Sequence, residues 1–149
     1  MASDLDSVQT WTPIVVNESK GAPAQPFLSA AVRAGDFVYV SGVIGVRPGQ
    51  PGVLGEDWTP GELVKGGIAA QTRQSMVNIS ATLEAAGLSL ADVVKVNAYL
   101  LNKDRDFGAF NEVYLDFFPG VPPARTAVGA TILGEDVLVE IECVAYAGS

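Results

Sequence analysis

The chain of 149 residues contains no histidine and only one cysteine. Without histidine, Ser-His and Cys-His nucleophile pairs and histidine-ligated metals are excluded within one chain, and a single thiol excludes internal disulfides and CxxC redox pairs. A carboxylate-only magnesium site is formally possible, but the acidic residues are scattered without clustered ligand spacing. These absences exclude more classes of active site than any motif in the chain suggests.

Positive charge and long apolar runs are also scarce. Seventeen acidic residues face nine basic ones, giving a formal charge of −8, and no run of Lys or Arg could follow a phosphate backbone. We therefore expect no nucleic-acid partner. The first residues have neither a basic start nor an apolar stretch, and no window approaches eighteen uninterrupted apolar residues. We expect a cytoplasmic protein with no membrane partner.

The chain is rich in apolar residues. Its residues are 48% hydrophobic and only 17% charged, more apolar than an average soluble domain. The length fits a single domain over residues 1–149. The apolar excess predicts that another copy of the chain covers part of the surface, and hence an oligomer.

The pattern of apolar residues and chain breakers predicts the order of the elements. It gives a possible extra strand over 11–16, a hairpin over 27–33 and 37–42, a helix over 68–86, a strand over 93–101, a second helix through Phe107 and Phe117, and closing strands over 124–131 and 137–146. Residues 47–67 form a long loop, with nine Gly or Pro in twenty-one. Gly87 is expected to follow the first helix, and Asp104 or Asp106 to cap the second.

This order is typical of an α+β domain in which both helices pack on one face of a mixed sheet. The other sheet face must then be buried elsewhere. Neighbouring subunits related by closed cyclic symmetry would bury it, in agreement with the apolar composition.

Arg125 follows the stiff pair Pro122-Pro123 at the start of a predicted strand. It has two interpretations. One is a structural ion pair, and the other is a bidentate clamp for a substrate carboxylate, for which a guanidinium is better suited than an ammonium group. A position beside Glu140, on what should be a neighbouring strand, favours the clamp.

The last strand places Glu140 and Glu142 on one face and Cys143 on the other, core-facing side. Cys143 is predicted to be an inert buried thiol. The glutamates form a solvated edge, a salt bridge with Arg125 or Arg73, or a partly dry carboxylate site. In the last case a glutamate positions a water and shuttles its proton.

Three further signals are weaker. Ser41-Gly42 ends a strand where glycine lets a ligand approach the backbone, although the pair is also an ordinary turn signal. Asn111 on the apolar side of the second helix either caps neighbouring backbone or donates to a ligand. Trp58 in the long loop either closes over a pocket or anchors the loop.

These residues carry a resemblance to the RidA (YjgF) family of enamine/imine deaminases, in the same order over residues 22–147. The matching motifs are Ser41-Gly42, Ala70-Gln71-Thr72-Arg73-Gln74-Ser75, Glu84-Ala85-Ala86-Gly87, Asn111-Glu112-Val113-Tyr114, Pro123-Ala124-Arg125 and Val139-Glu140-Ile141-Glu142. Phe27 with its preceding residues and Phe117-Phe118-Pro119-Gly120 look closer to the RutC branch. The resemblance leaves residues 1–21 as an N-terminal extension and 47–67 as a loop insertion.

The resemblance implies a chorismate-mutase-like α+β subunit, a homotrimer with active sites between subunits, and no cofactor. It implies that Arg125 binds the substrate carboxylate, that Glu140 holds the attacking water, and that Ser41, Gly42, Asn111 and Phe27 lie near the pocket. Phe27 and Ala127 stand where Tyr and Cys are common in the family, so the hydrogen bonds of those groups are lost.

The implied reaction is hydrolysis of a small enamine or imine carboxylic acid, such as 2-aminoacrylate or 3-aminoacrylate, to ammonia and an oxo acid. Three alternatives are open. They are a deaminase of a larger enamine acid such as 2-aminomuconate, a trimer that binds small carboxylates without turnover, and a trimer that recruits another protein through its acidic surface.

Overall fold

The computed structural model describes residues 10–14, 28–47 and 62–148. They form six strands and two α-helices. In chain order these are β1 (Trp11–Ile14), β2 (Ala31–Ala34), β3 (Phe37–Val43), α1 (Gly67–Ala85), β4 (Val93–Leu100), α2 (Lys103–Phe117), β5 (Ala124–Gly129) and β6 (Val139–Tyr146), with a short 3-10 helix at Leu90–Asp92. The predicted order of elements, including the extra first strand, is confirmed. Phe27 and Trp58 lie outside the described residues.

The strands form one sheet in the order β1-β2-β3-β6-β4-β5. Only β4 and β5 run parallel, because α2 carries the chain back between them, and every other pair is antiparallel. The predicted mixed sheet is therefore confirmed. The expectation that Arg125 and Glu140 lie on neighbouring strands is wrong, since β4 separates β5 from β6.

Both helices pack on one face of this sheet. Alternate residues of β6 (Val139, Ile141, Cys143 and Ala145) are buried there, in one cluster with Met76, Ile79 and Leu83 of α1 and with Phe110 and Tyr114 of α2. The two-residue period of a strand sends the remaining β6 side chains to the opposite face, which we call the open face. Glu140 and Glu142 lie on this open face, half-buried.

The ends of the helices follow local capping chemistry. Gly87, with φ of +76°, follows α1 as predicted, since glycine adopts this left-handed conformation without penalty. The cap of α2 is Asn102, whose side chain accepts a hydrogen bond from Arg105 N at 3.2 Å. The prediction of Asp104 or Asp106 as this cap is wrong, because the helix begins one turn earlier than Phe107 and both acids lie inside its first turn.

A second, smaller cluster of buried residues consists of Ile44, Val46, Ile132 and Val137, with Leu63 and Tyr99 packed against it. A bridge pairs Val46 with Leu63, and most of the predicted loop between them lies outside the described residues. Tyr99 therefore joins this cluster to the glutamates of β6. No helix in the described parts of the chain is both long and apolar enough to cross a membrane.

Candidate active site

The guanidinium of Arg125 turns toward α2, on the helix-covered side of the sheet. Its Nη1 donates a 2.8 Å hydrogen bond to Oδ1 of Asn111. The guanidinium carbon lies 4.7 Å from the centre of the Tyr114 ring, and 5.7 and 5.6 Å from the rings of Phe107 and Phe110. A planar cation stacks well on such rings, which hold it without neutralising its charge.

Arg125 has no acidic partner within the described residues. The ion pairs found there are Arg47–Glu62, Arg73–Asp116, Lys103–Asp104 and Arg105–Asp106. The structural ion-pair interpretation of Arg125 therefore finds no support. A half-buried guanidinium with donors beyond the one bonded to Asn111 can accept an anion, and its planar shape suits a carboxylate.

Asn111 lies on the α2 face that meets Arg125. Of the two alternatives weighed from its sequence position, it does not take the role of a backbone cap, because its carbonyl oxygen accepts the hydrogen bond from Arg125 Nη1. Donation from its side-chain amide to a ligand stays a prediction. Phe107 and Asn111 are four residues apart in α2, and so are Phe110 and Tyr114. Each pair therefore lies on one face of the helix, and the two faces are adjacent. Sequence reasoning used the aromatic residues of this segment only to identify the helix, and their helical spacing was the signal that could have revealed the cradle.

Glu140 lies on the open face of β6, against the bulge in β3 where the pairing register shifts between Val40 and Val43. An ideal Cβ on Gly42 would overlap Oε1 of Glu140. The missing side chain of Gly42 is therefore what lets the carboxylate approach β3. Gly42 and Glu140, singled out separately in the sequence, meet in the structure.

The environment of Glu140 favours its protonated form. Burial raises the pKa of Glu140, and the negative charge of Glu142 raises it further. Glu142 is itself held by two donors, Tyr99 Oη at 2.5 Å and Asn97 Nδ2 at 3.3 Å. The hydrogen bond to Glu142 is in turn the main cause that raises the pKa of Tyr99. Neither Glu140 nor Glu142 forms the predicted salt bridge with Arg125 or Arg73.

Arg125 and Glu140 occupy opposite faces of the sheet. Arg125 is level with Val96 of β4, a core residue on the helix side, whereas Glu140 is level with Tyr99 on the open face. Their side chains cannot meet on one ligand within a single chain. A ligand shared by the two residues would therefore need two copies of the chain.

The remaining candidates have simpler surroundings. Ser41 Oγ donates to Ser29 O at 2.6 Å, so its proton is already used, although its oxygen can still accept. Cys143 is buried, as predicted, and burial raises the pKa of its thiol to about 12. Within the described ranges, no group of three or more Cys, Asp or Glu could hold a metal ion.

Comparison with known proteins gives a consistent result. The profile of the family described as Endoribonuclease L-PSP matches residues 18–147. The chain is 44% identical over 133 residues to a RutC family protein of Pyrococcus horikoshii, covering 89% of this chain and 96% of that protein. It is 37% identical over 134 residues to the 2-iminobutanoate/2-iminopropanoate deaminase of Rattus norvegicus, covering 90% of each.

A solved structure agrees with the fold. The crystal structure of the YjgF gene product from E. coli superposes with a TM-score of 0.73 at 33% sequence identity, covering 91% of this chain and 98% of that one.

Proposed function

The chain belongs to the YjgF/RidA/RutC family, and we propose that it hydrolyses a small imine or enamine carboxylic acid to ammonia and an oxo acid. The deaminase name of the rat relative supports this class of reaction. The family description also mentions endoribonuclease, but a net charge of −8 without a basic run argues against RNA as the substrate.

The observation that carries the proposal is the cradle of Arg125. Removing a guanidinium from water is costly unless an acceptor replaces the lost hydration. Asn111 supplies one acceptor, and a substrate carboxylate would supply the rest through two parallel hydrogen bonds. Such a clamp fixes the imine carbon at a set distance from the guanidinium.

Glu140 is the proposed general base and acid. A carboxylate with a raised pKa can take a proton from water and later return it. Glu140 can therefore perform both proton transfers of the hydrolysis, a role for which histidine is often used. The water oxygen bonds to the imine carbon while one of its protons reaches the nitrogen through Glu140, which gives a carbinolamine. The remaining hydroxyl proton then passes through Glu140 to the nitrogen as the C–N bond breaks, which leaves the C=O of the oxo acid and releases ammonia. An enamine would first take a proton on carbon to give the same imine.

We propose that each active site combines Arg125 of one subunit with Glu140 of another in a homotrimer. The opposite placement of the two residues on the sheet supports this arrangement. The open face carries exposed aromatic side chains, namely Phe37, Tyr39 and Tyr146, whose burial between copies would stabilise an assembly. Gly42 lies beside Glu140, and we propose that Gly42 and its neighbour Ser41 contact the same ligand.

A second candidate is a carboxylate-binding protein without turnover. The cradle of Arg125 favours it as much as it favours the enzyme, because binding a carboxylate needs no base. Glu140→Gln separates the two candidates, since it keeps the shape of the side chain and removes its proton-accepting charge.

The experiment measures ammonia release from 2-iminopropanoate generated in situ, and binding of pyruvate by titration calorimetry. For an enzyme we expect acceleration by the wild type, a loss of about 100-fold or more in Glu140→Gln, and nearly unchanged pyruvate binding. Binding without acceleration by the wild type would favour the second candidate. Neither binding nor acceleration would contradict both.

A further inference from the structure

A pocket of about 240 Å³ lies between the first turns of α2 and the edge strand β5. Its walls are formed by Leu100, Lys103, Asp104, Phe107, Ala127 and Val128. Apart from Phe107, which also belongs to the Arg125 cradle, none of these residues has a role in the proposed hydrolysis. The volume is below the range of about 300–1,000 Å³ typical of sites for drug-sized ligands, so it suits only a small group.

The pocket continues directly from the Arg125 cradle. Phe107 belongs to both, since its ring lies 5.7 Å from the guanidinium and also lines the pocket. Arg125 and Ala127 lie on the same face of β5, both half-buried, whereas Thr126 between them is exposed. Lys103, Phe107 and Asn111 follow at intervals of four along α2. A ligand held at Arg125 and Asn111 can therefore extend into this pocket.

The lining is mainly apolar. Leu100, Phe107, Ala127 and Val128 offer hydrocarbon surface, and the stem of Lys103 packs against Gly129 at the far end. The ammonium of Lys103 lies 2.7 Å from the carboxylate of Asp104, and both side chains are largely exposed. Because Asp104 neutralises Lys103, the far end presents no net charge to a ligand.

We infer that this pocket receives the substrate's own side chain and selects apolar chains of about three or four carbons. The inference rests on the proposed function. A volume of about 240 Å³ holds roughly eight water-sized groups, enough for such a chain without moving protein atoms. The small side chain of Ala127 keeps the pocket open next to Arg125, so Ala127 is the specificity-determining position.

The test compares imines of increasing length, generated in situ by an amino-acid oxidase from alanine, 2-aminobutyrate, norvaline and norleucine. We expect kcat/KM for ammonia release to rise by about fourfold for each added methylene, the ratio that corresponds to burying one CH₂. Ala127→Leu should lower the ratio of the norleucine to the alanine imine by about tenfold or more. Leu115→Ala, an exposed substitution on α2 outside the pocket, should leave this ratio unchanged.

For each variant, kcat/KM for the norleucine and the alanine imine is measured on the same preparation. Their ratio therefore does not depend on the fraction of protein that is folded. Hydrolysis of the alanine imine with no rise along the series would overturn this inference and leave the proposed function standing. No acceleration on any member would overturn both. The imine from 2-aminoadipate is the charged control. If it is preferred over the norleucine imine by more than tenfold, and Lys103→Met removes that preference, the pocket selects a second carboxylate and the apolar assignment is wrong.

Discussion

Arg125 owes its position to neighbours that leave its charge available. Three aromatic rings and one amide oxygen hold the guanidinium, and none of the ion pairs in the described parts of the chain includes it. The sequence could identify the arginine and propose a clamp, but not its cradle. The cradle depends on where α2 crosses β5, which no local pattern specifies.

Arg125→Lys tests the clamp. Lysine keeps the charge but loses the planar fork and its stacking, so we expect kcat/KM for ammonia release to fall by about 10- to 100-fold, or roughly 1.5 to 3 kcal/mol. The matched control is Arg73→Lys, because Arg73 also lies over a ring, that of Phe117, and bonds Asp116 at 3.1 Å. A lowered melting temperature with unchanged activity in Arg125→Lys would indicate a structural role instead.

Gly42→Ala tests the position of Glu140. The added Cβ would overlap the carboxylate, whose flexible side chain must move away, so we expect at least about a tenfold loss of kcat/KM with the fold retained. Gly108→Ala is the control, since nothing lies within 4 Å of an ideal Cβ there, and alanine in a helix stabilises by up to about 1 kcal/mol. Full activity in Gly42→Ala would remove Glu140 from the proposed mechanism.

The pH dependence follows from the pair of glutamates. A raised pKa means that the Glu140 carboxylate appears only as the pH rises through its folded value, and the unfolding free energy declines over the same interval. Glu142→Gln removes one of the two causes and so lowers the pKa of Glu140. The acidic limb of the kcat/KM profile should then move to lower pH, whereas Glu112→Gln on the exposed side of α2 should not move it.

At the scale of elements, periodicity predicted most of the fold. The spacing of apolar residues identified both helices, and alternation in β6 placed Cys143 in the core and the glutamates on the other face. Pairing order was not predictable in this way. The position of β4 between β5 and β6 is a long-range property, and it is the reason that Arg125 and Glu140 are not on neighbouring strands.

The cap of α2 gives an element-scale prediction. Asn102→Ala removes the acceptor for Arg105 N and should lower the free energy of unfolding by about 1 kcal/mol. Asp104→Asn, which removes an exposed first-turn charge, should cost less. Chemical denaturation of both variants measures the difference. A larger loss of unfolding free energy for Asp104→Asn would indicate that Asp104, one of the two residues predicted from the sequence, caps the helix.

At the scale of the whole molecule, composition indicated that the chain does not act alone. The apolar excess in the sequence has a counterpart in Phe37, Tyr39 and Tyr146, which are exposed on the open face of one copy. Composition could not reveal that the two key residues lie on opposite faces. That placement makes the assembly a requirement for catalysis in our account, beyond any contribution to stability.

Mixed trimers test this central claim most directly. Arg125→Ala and Glu140→Gln are each expected to be inactive, as trimers of about three times the 15.5 kDa subunit mass by light scattering. When the two variants are unfolded together and refolded in equal amounts, random assembly should give about a quarter of the sites an intact Arg125 and an intact Glu140 from different chains. We therefore predict recovery of about a quarter of the wild-type rate of ammonia release. Recovery no greater than the sum of the two separate variants, in trimers shown to be mixed, would contradict the account.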